Sequence, residues 1–234
     1  MKQDKNLGPR LCSAIPFLHS GEIVADVGTD HAYLPILLVQ KGIASQAVAC
    51  DVGLGPIERA REHIREAGME EKIDTLQTDG LHGVERWSPT AILIFGMGGE
   101  LIVKILSEAE WVKDPAIRLC LQPMTHAEIL RAWLNQNGFA IIGETVTKEK
   151  HFYQTICATF GGCREEYTEA ELLVGKEKKQ TDPALYRALI AQRIRLLDRI
   201  NREKRASGCA DTAHETELAN ALCKLAQTNT EEIK

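Results

Sequence analysis

Residues 24–32 read Val24-Ala25-Asp26-Val27-Gly28-Thr29-Asp30-His31-Ala32, and this stretch decides the fold. An apolar run closes on an acidic residue, a glycine follows, and a short polar turn leads into an apolar segment of helical length. That order is a strand entering a helix, with the turn at the carboxyl edge of a sheet, where backbone N–H groups can meet a ligand. Only Gly28 of a G-x-G-x-x-G run is present; Asp30 and Ala32 stand where other glycines would be. Close approach to a pyrophosphate wants those glycines. The turn therefore suits a ligand with no phosphate and a charged amino-acid moiety, such as S-adenosylmethionine. The competing reading is a plain strand-turn-helix with Asp30 as N-cap.

Outward from this turn, short β-branched runs alternate with helical patterns. The expected strands are Ile23–Val27, Ala47–Asp51, Ile73–Gln77, Ala91–Phe95, Arg118–Gln122, Ala140–Thr147 and Phe152–Thr159; the expected helices are Tyr33–Gln40, Pro56–Glu66, Leu101–Ala109 and Ala127–Asn137. Such alternation implies right-handed βαβ units and a mostly parallel sheet. The last two strands follow each other without a helix, which adds an antiparallel hairpin. A seven-stranded, Rossmann-like α/β sheet closed this way is the class I methyltransferase arrangement, whereas a dinucleotide dehydrogenase ends on another βα unit.

After Gly161-Gly162 the pattern changes. Thr181-Asp182-Pro183 reads as a capped helix start, and Tyr186, Ile190, Ile194, Leu197 and Ile200 form one apolar stripe. Beyond a loop at Ala206–Asp211, Leu218, Leu222 and Leu225 form a second stripe. Two such helices should pair as a hairpin. The expected division is a catalytic domain over 1–163 and a C-terminal helical hairpin over 164–234.

Each strand end contributes a candidate. Asp51, followed by Val52, stands about twenty residues past the glycine turn, where an acid accepts hydrogen bonds from ribose hydroxyls. Asp79-Gly80-Leu81 follows the third strand, where an acid can hold an adenine amino group; alone, Asp-Gly signals only a turn. Gly96-Met97-Gly98-Gly99 replaces the Asn/Asp-Pro-Pro-aromatic motif of amino-methylating enzymes, leaving open backbone and room for a bulky base. Gln122 and His126 are polar groups near the same edge, with His126 equally a helix-start residue. Trp111, Trp133 and Leu134 read as core.

Composition bounds the rest. The 234 residues are 44% hydrophobic and 26% charged, which sustains a packed core. Seven cysteines, with no C-x-x-C pair, imply a reducing compartment, no disulfide framework and no zinc site. No signal peptide and no apolar run of membrane length is visible, so a cytoplasmic location is expected.

Together, Asp26–Pro35, Phe95–Gly99, Leu121–Pro123 and Leu130–Leu134 resemble the bacterial tRNA (adenine-22-N1)-methyltransferase family, the TrmK type. The match is good over residues 7 to about 160; beyond it only Leu173-Val174-Gly175 and a helical hairpin look similar. Asp51 stands where some members carry Glu. The resemblance implies S-adenosylmethionine as methyl donor, adenine 22 of tRNA as acceptor, a catalytic Rossmann-like domain and a coiled-coil-like tail. In that setting Asp26, Gly28, Thr29, Asp51, Val52, Asp79, Gly80, Leu81, Gly96, Met97 and Gly98 are the expected cofactor contacts. Gly99, Gln122 and His126 would face the substrate. Asp30 is the candidate carboxylate beside the target base, with His31 and Tyr33 positioning that base.

The formal charge is −5, yet Lys176–Arg205 holds ten cations and four anions, a local net of +6. Arg193, Arg195, Arg199 and Arg202 are therefore the expected tRNA footprint, against the plainer reading of a solvated helix face. No metal and no membrane partner are expected, and the assembly should be a monomer or weak homodimer. The alternatives are a methyltransferase for a protein or small molecule, and an inactive RNA-binding protein of the same fold.

Overall fold

The computed structural model describes residues 7–162, 164–207 and 211–227. A one-turn helix α1 (Pro9–Cys12) precedes β1 (Glu22–Val27), α2 (Tyr33–Gln40), β2 (Ala44–Asp51), α3 (Leu54–Glu66), β3 (Ile73–Gln77), β4 (Ala91–Met97), α4 (Gly99–Ser107), β5 (Arg118–Pro123) and α5 (Ala127–Gln136). Two strands then follow directly, β6 (Phe139–Lys148) and β7 (Phe152–Phe160), before α6 (Glu169–Val174), α7 (Pro183–Ala206) and α8 (Ala213–Gln227). Among the described residues no helix is long and apolar enough to cross a membrane.

The strands form one sheet in the order β3-β2-β1-β4-β5-β7-β6. The first five are parallel, and β7 runs antiparallel between β5 and β6. All seven expected strands are present, with ends shifted by a few residues. The insertion of β7 has a consequence for the site. Its first residues lie beyond the end of β5, so the turn from β6 to β7 comes to the carboxyl edge of the parallel strands.

The central strands are apolar on both faces because helices cover both. Ile92, Leu93, Ile94, Leu119 and Leu121 are fully buried, and the core divides into one cluster on each side of the sheet. Cys50, Cys120 and Cys157 are buried free thiols, as their apolar surroundings in sequence suggest; Cys163 and Cys209 lie outside the described residues. Leu134 is core, and Trp111 and Trp133 pack partly buried against it.

The C-terminal helices do pair. Tyr186, Leu189, Ile190 and Leu197 of α7 meet Ala219 and Leu222 of α8, and Val146 and Phe152 of the strand hairpin join the same cluster. Asp182 caps α7 by accepting from the Ala184 and Leu185 amides at 2.9 Å. The loop expected at 206–211 is described only at 206, 207 and 211. Helix α6 lies in a segment that reads as merely charged, yet Thr168 and Glu171 cap it reciprocally.

One buried ion pair joins these parts. Arg131 is fully buried, and its Nε donates to Glu144 Oε1 at 2.6 Å, Nη1 to the Leu172 carbonyl at 2.8 Å and Nη2 to Gln154 Oε1 at 2.7 Å. Glu144 Oε2 accepts from Gln180 at 2.8 Å. Gly175 (φ +85°) presses on that carboxylate with no space for a side chain, which explains the glycine ending Leu173-Val174-Gly175. Removing one partner leaves a buried charge uncompensated. Glu144→Ala should lower the unfolding free energy by about 3–5 kcal/mol in a denaturant titration, and Arg131→Met/Glu144→Leu should lower it less.

Candidate active site

The turn after β1 differs from expectation in its hydrogen bonds. Gly28 (φ +82°) and Thr29 both donate their amides to the Cys50 carbonyl at 2.9 Å, which stitches the turn to β2 and turns these donors away from any ligand. Thr29 Oγ1 accepts from the Ala32 amide at 3.1 Å, a bond within the turn, and no side chain caps α2, neither Thr29 nor Asp30. Ala32 precedes α2 in the left-handed conformation.

Asp30 faces outward. Its carboxylate binds Arg59 Nη2 at 2.6 Å and His31 Nε2 at 3.1 Å. The Arg59 hydrogen bond is the main cause of its lowered pKa, which keeps it anionic at neutral pH. Tyr33, His31 and His63 form a triangle of rings, with centroids 5.0 Å apart for Tyr33–His31, 4.8 Å for Tyr33–His63 and 5.2 Å for His31–His63, and His63 Nδ1 lies 3.1 Å from the His31 carbonyl. His31 Nδ1 is buried with no hydrogen-bond partner. Arg59 and His63 went unnoticed in the sequence; their spacing of one helical turn along α3 is the only signal there, and it becomes meaningful once α3 is known to lie beside the turn.

Asp26 is buried at the end of β1. Burial is the largest cause that raises its pKa, to about 6; the bond from Thr29 opposes this and the nearby Asp51 adds to it. No ion pair compensates Asp26 among the described residues. Asp51 lies beside it at the end of β2, with Oδ1 accepting from the Gly53 amide at 2.8 Å. Val52 next to it is 66% exposed, an apolar shelf at the edge. Asp79 is exposed after β3. Gly80 (φ +60°) packs on Ile105, and Leu81 is a core residue.

The loop after β4 closes onto the first turn. The Met97 methyl group fills the space that a Gly28 side chain would need. Gly96 is exposed with φ +80°. Gly99 is buried, donates to the Thr125 carbonyl at 2.8 Å and abuts the His126 backbone. Packing between two turns therefore requires a glycine here. Gln122 is fully buried, accepting from Arg10 Nη1 at 3.1 Å and donating to the Pro123 carbonyl at 3.0 Å. His126 (φ 55°) occupies the N-cap position of α5 and pairs with Glu128 at 3.1 Å.

The basic tail is also less uniform than its composition. Arg195, Arg199 and Arg202 are exposed at spacings of four and three along α7. Arg193 is half-buried, with Nε unpartnered and its pKa lowered by burial, so it parts from the other three. Among the described residues no cluster of three or more His, Cys, Asp or Glu could hold a metal.

A doubly wound sheet ending in an antiparallel hairpin, with acids at three successive strand ends and a glycine loop at the fourth, defines a class I methyltransferase fold. Residues 7–156 match the methyltransferase domain family. The tRNA (adenine(22)-N(1))-methyltransferase of Bacillus subtilis is 34% identical over 72% of this chain and 71% of its own length. The crystal structure of the B. subtilis m1A22 tRNA methyltransferase TrmK superposes with a TM-score of 0.76 at 29% identity, covering 98% of this chain and 99% of that one. The Streptococcus pneumoniae protein Sp1610 in complex with S-adenosyl-L-methionine gives 0.80 at 29% identity, covering 94% and 99%. The chain belongs to the tRNA (adenine(22)-N(1))-methyltransferase family.

The Asp26 pKa carries a testable sign. A carboxyl whose native pKa is raised favours the folded state below its ordinary pKa, and that stability is lost as pH rises through about 6. The ligand-free protein should lose on the order of 2 kcal/mol from this group between pH 4.5 and 7.5. Asp26→Asn should flatten the curve in that window, read by denaturant unfolding across pH.

Proposed function

We propose that this chain transfers the methyl group of S-adenosyl-L-methionine to N1 of adenine 22 in tRNA, in the cytoplasm, with Asp30 as the carboxylate beside the target base. The observation that carries the assignment is the pairing of Asp30 with Arg59, which holds an exposed carboxylate ionised at the methyltransferase edge. S-adenosyl-L-methionine supplies an electrophilic methyl group. The residues present suit it: Asp26 is a buried acid with no cation of its own, Asp51 offers a carboxylate to ribose hydroxyls, and Val52 offers an apolar wall. Asp79 is suited to an adenine amino group, and Gly96 and Gly98 leave room beside the donor.

Adenine N1 is a nucleophile through its in-plane lone pair, so the transfer needs no base. Asp30, kept anionic, is poorly suited to take a proton. It suits the other task, stabilising positive charge that develops on the ring by accepting from N6–H. The His31, Tyr33 and His63 rings, clustered against one another, lie beside it, and alignment of N1 with the methyl group is the site's main contribution. Asp30→Ala should reduce the single-turnover methylation rate by about 10²-fold while leaving S-adenosylhomocysteine affinity unchanged. Near-normal transfer would rule out the role.

A base inside folded tRNA must be exposed at a cost of a few kcal/mol, and backbone contacts have to supply that energy. The exposed stripe Arg195, Arg199 and Arg202 makes the C-terminal helices, roughly residues 164–234, the proposed docking element. Truncation at 163 is a poor test, because it removes the Leu172 carbonyl from buried Arg131. Replacing all three arginines with Gln should instead weaken tRNA binding and reduce the log–log salt slope by about one for each phosphate that is no longer neutralised. An unchanged slope would exclude the stripe.

A further inference from the structure

We propose that Arg10 binds a backbone phosphate of the nucleotide presented for methylation, an inference that rests on the tRNA reading above. Helix α1 brings Arg10 across the strand hairpin to the carboxyl edge. Its Nη1 donates to Gln122 Oε1 at 3.1 Å and lies 3.8 Å from where a Cβ of Gly96 would stand. The guanidinium is therefore next to the glycine loop that faces the methyl-transfer edge.

Two features separate Arg10 from a structural arginine. First, the side chain is not needed to dock α1. The Arg10 amide donates to Glu149 Oε1 at 3.0 Å, its carbonyl accepts from Ser13 Oγ at 2.6 Å, and Ser13 in turn bonds Thr155 at 2.6 Å. Second, the guanidinium has no carboxylate partner among the described residues, while Arg59, Arg118 and Arg131 each have one. Of its five N–H donors only those on Nη1 have a partner there, leaving most of a planar fork unused. The Tyr153 ring, 5.6 Å from the guanidinium carbon, holds it in place by a cation–π contact.

The surroundings select an anion. Lys148, Lys150 and His151 are exposed on the turn between β6 and β7, at the same edge, and the one acid there, Glu149, is engaged by the Arg10 backbone. A guanidinium stacked on the reacting adenine would oppose the positive charge that methylation creates. Against a phosphate the same group gains two parallel charge-assisted hydrogen bonds.

The test measures tRNA affinity across a salt series for the wild type, Arg10→Gln and Arg10→Lys, with S-adenosylhomocysteine titration and thermal unfolding in parallel. Arg10→Gln should bind tRNA about tenfold more weakly and lower the salt slope by about one, with cofactor affinity unchanged and the melting temperature lowered only by the lost bond to buried Gln122. Arg10→Lys should keep most of the slope, since the charge remains. An unchanged slope in Arg10→Gln, or a loss of S-adenosylhomocysteine binding, overturns the assignment while leaving the methyltransferase reading intact. A wild-type protein that neither binds nor methylates tRNA overturns that reading and this inference with it.

Discussion

Arg131 has no access to water, so its nitrogens must all find acceptors inside the protein, and it finds them on three elements. Glu144 lies on β6, Gln154 on β7 and the Leu172 carbonyl on α6. Losing any one would cost the desolvation of a buried charged donor, of order 1–3 kcal/mol or more. The hairpin and the first C-terminal helix are thus held in one position relative to α5. Helix α5 begins at the turn that packs on Gly99, so the same network fixes the last part of the catalytic edge. Thr155, next to Gln154, receives Ser13 and with it the mount of Arg10. A core ion pair that adds little net stability can still determine which surfaces meet.

The carboxylates at the edge are chemically distinct although they lie close in the fold. Asp26 is deep and uncompensated, so burial favours its proton and makes it receptive to a cationic ligand. Asp30, only one short turn later, is solvated and paired with Arg59, which keeps it charged. The difference arises from burial at Asp26 and from the Arg59 guanidinium at Asp30; Thr29, between them, opposes the rise at Asp26. Two aspartates four residues apart are thereby set to opposite preferences for the proton by their surroundings alone.

The strands were legible because a sheet covered on both faces must be written as continuous apolar runs, such as Ala91–Phe95 and Arg118–Gln122. The order of the last two strands was not, since apolar alternation says that β6 and β7 pair but not which one borders β5. The glycine turn is recognisable in sequence, but the pattern does not show that the Cys50 carbonyl takes the Gly28 and Thr29 amides. That carbonyl belongs to a strand twenty residues away, and no local pattern encodes it. Gly99 and Gln122 show the same limit: residue type marked them as special, while the neighbouring β5–α5 turn and Arg10 decide what they touch. Arg59, His63 and Arg10 carry no motif and gain meaning only from the tertiary arrangement.

Charge counted along the chain overstated the basic tail for a related reason. Six of its ten cations form ion pairs: Lys176, Lys178 and Lys179 with Glu165, Arg187 with Glu177, Arg199 with Glu203, and Lys204 with Glu215. Glu165 and Glu215 lie outside the counted window, so the sequence credits the tail with charge that the fold partly neutralises. Exposed pairs such as Arg199–Glu203 are worth at most about 1 kcal/mol and yield readily to a phosphate. The pairs of Lys176 and Lys179 are largely shielded and tie the segment that leaves α6 to Glu165 ahead of it. What is left for RNA is a narrow stripe on one face of α7. A narrow stripe fixes few degrees of freedom of a large polyanion, and orientation of the target base then has to come from contacts at the catalytic edge itself. A cation at that edge, mounted rigidly and lacking a carboxylate, is what such a division of labour requires.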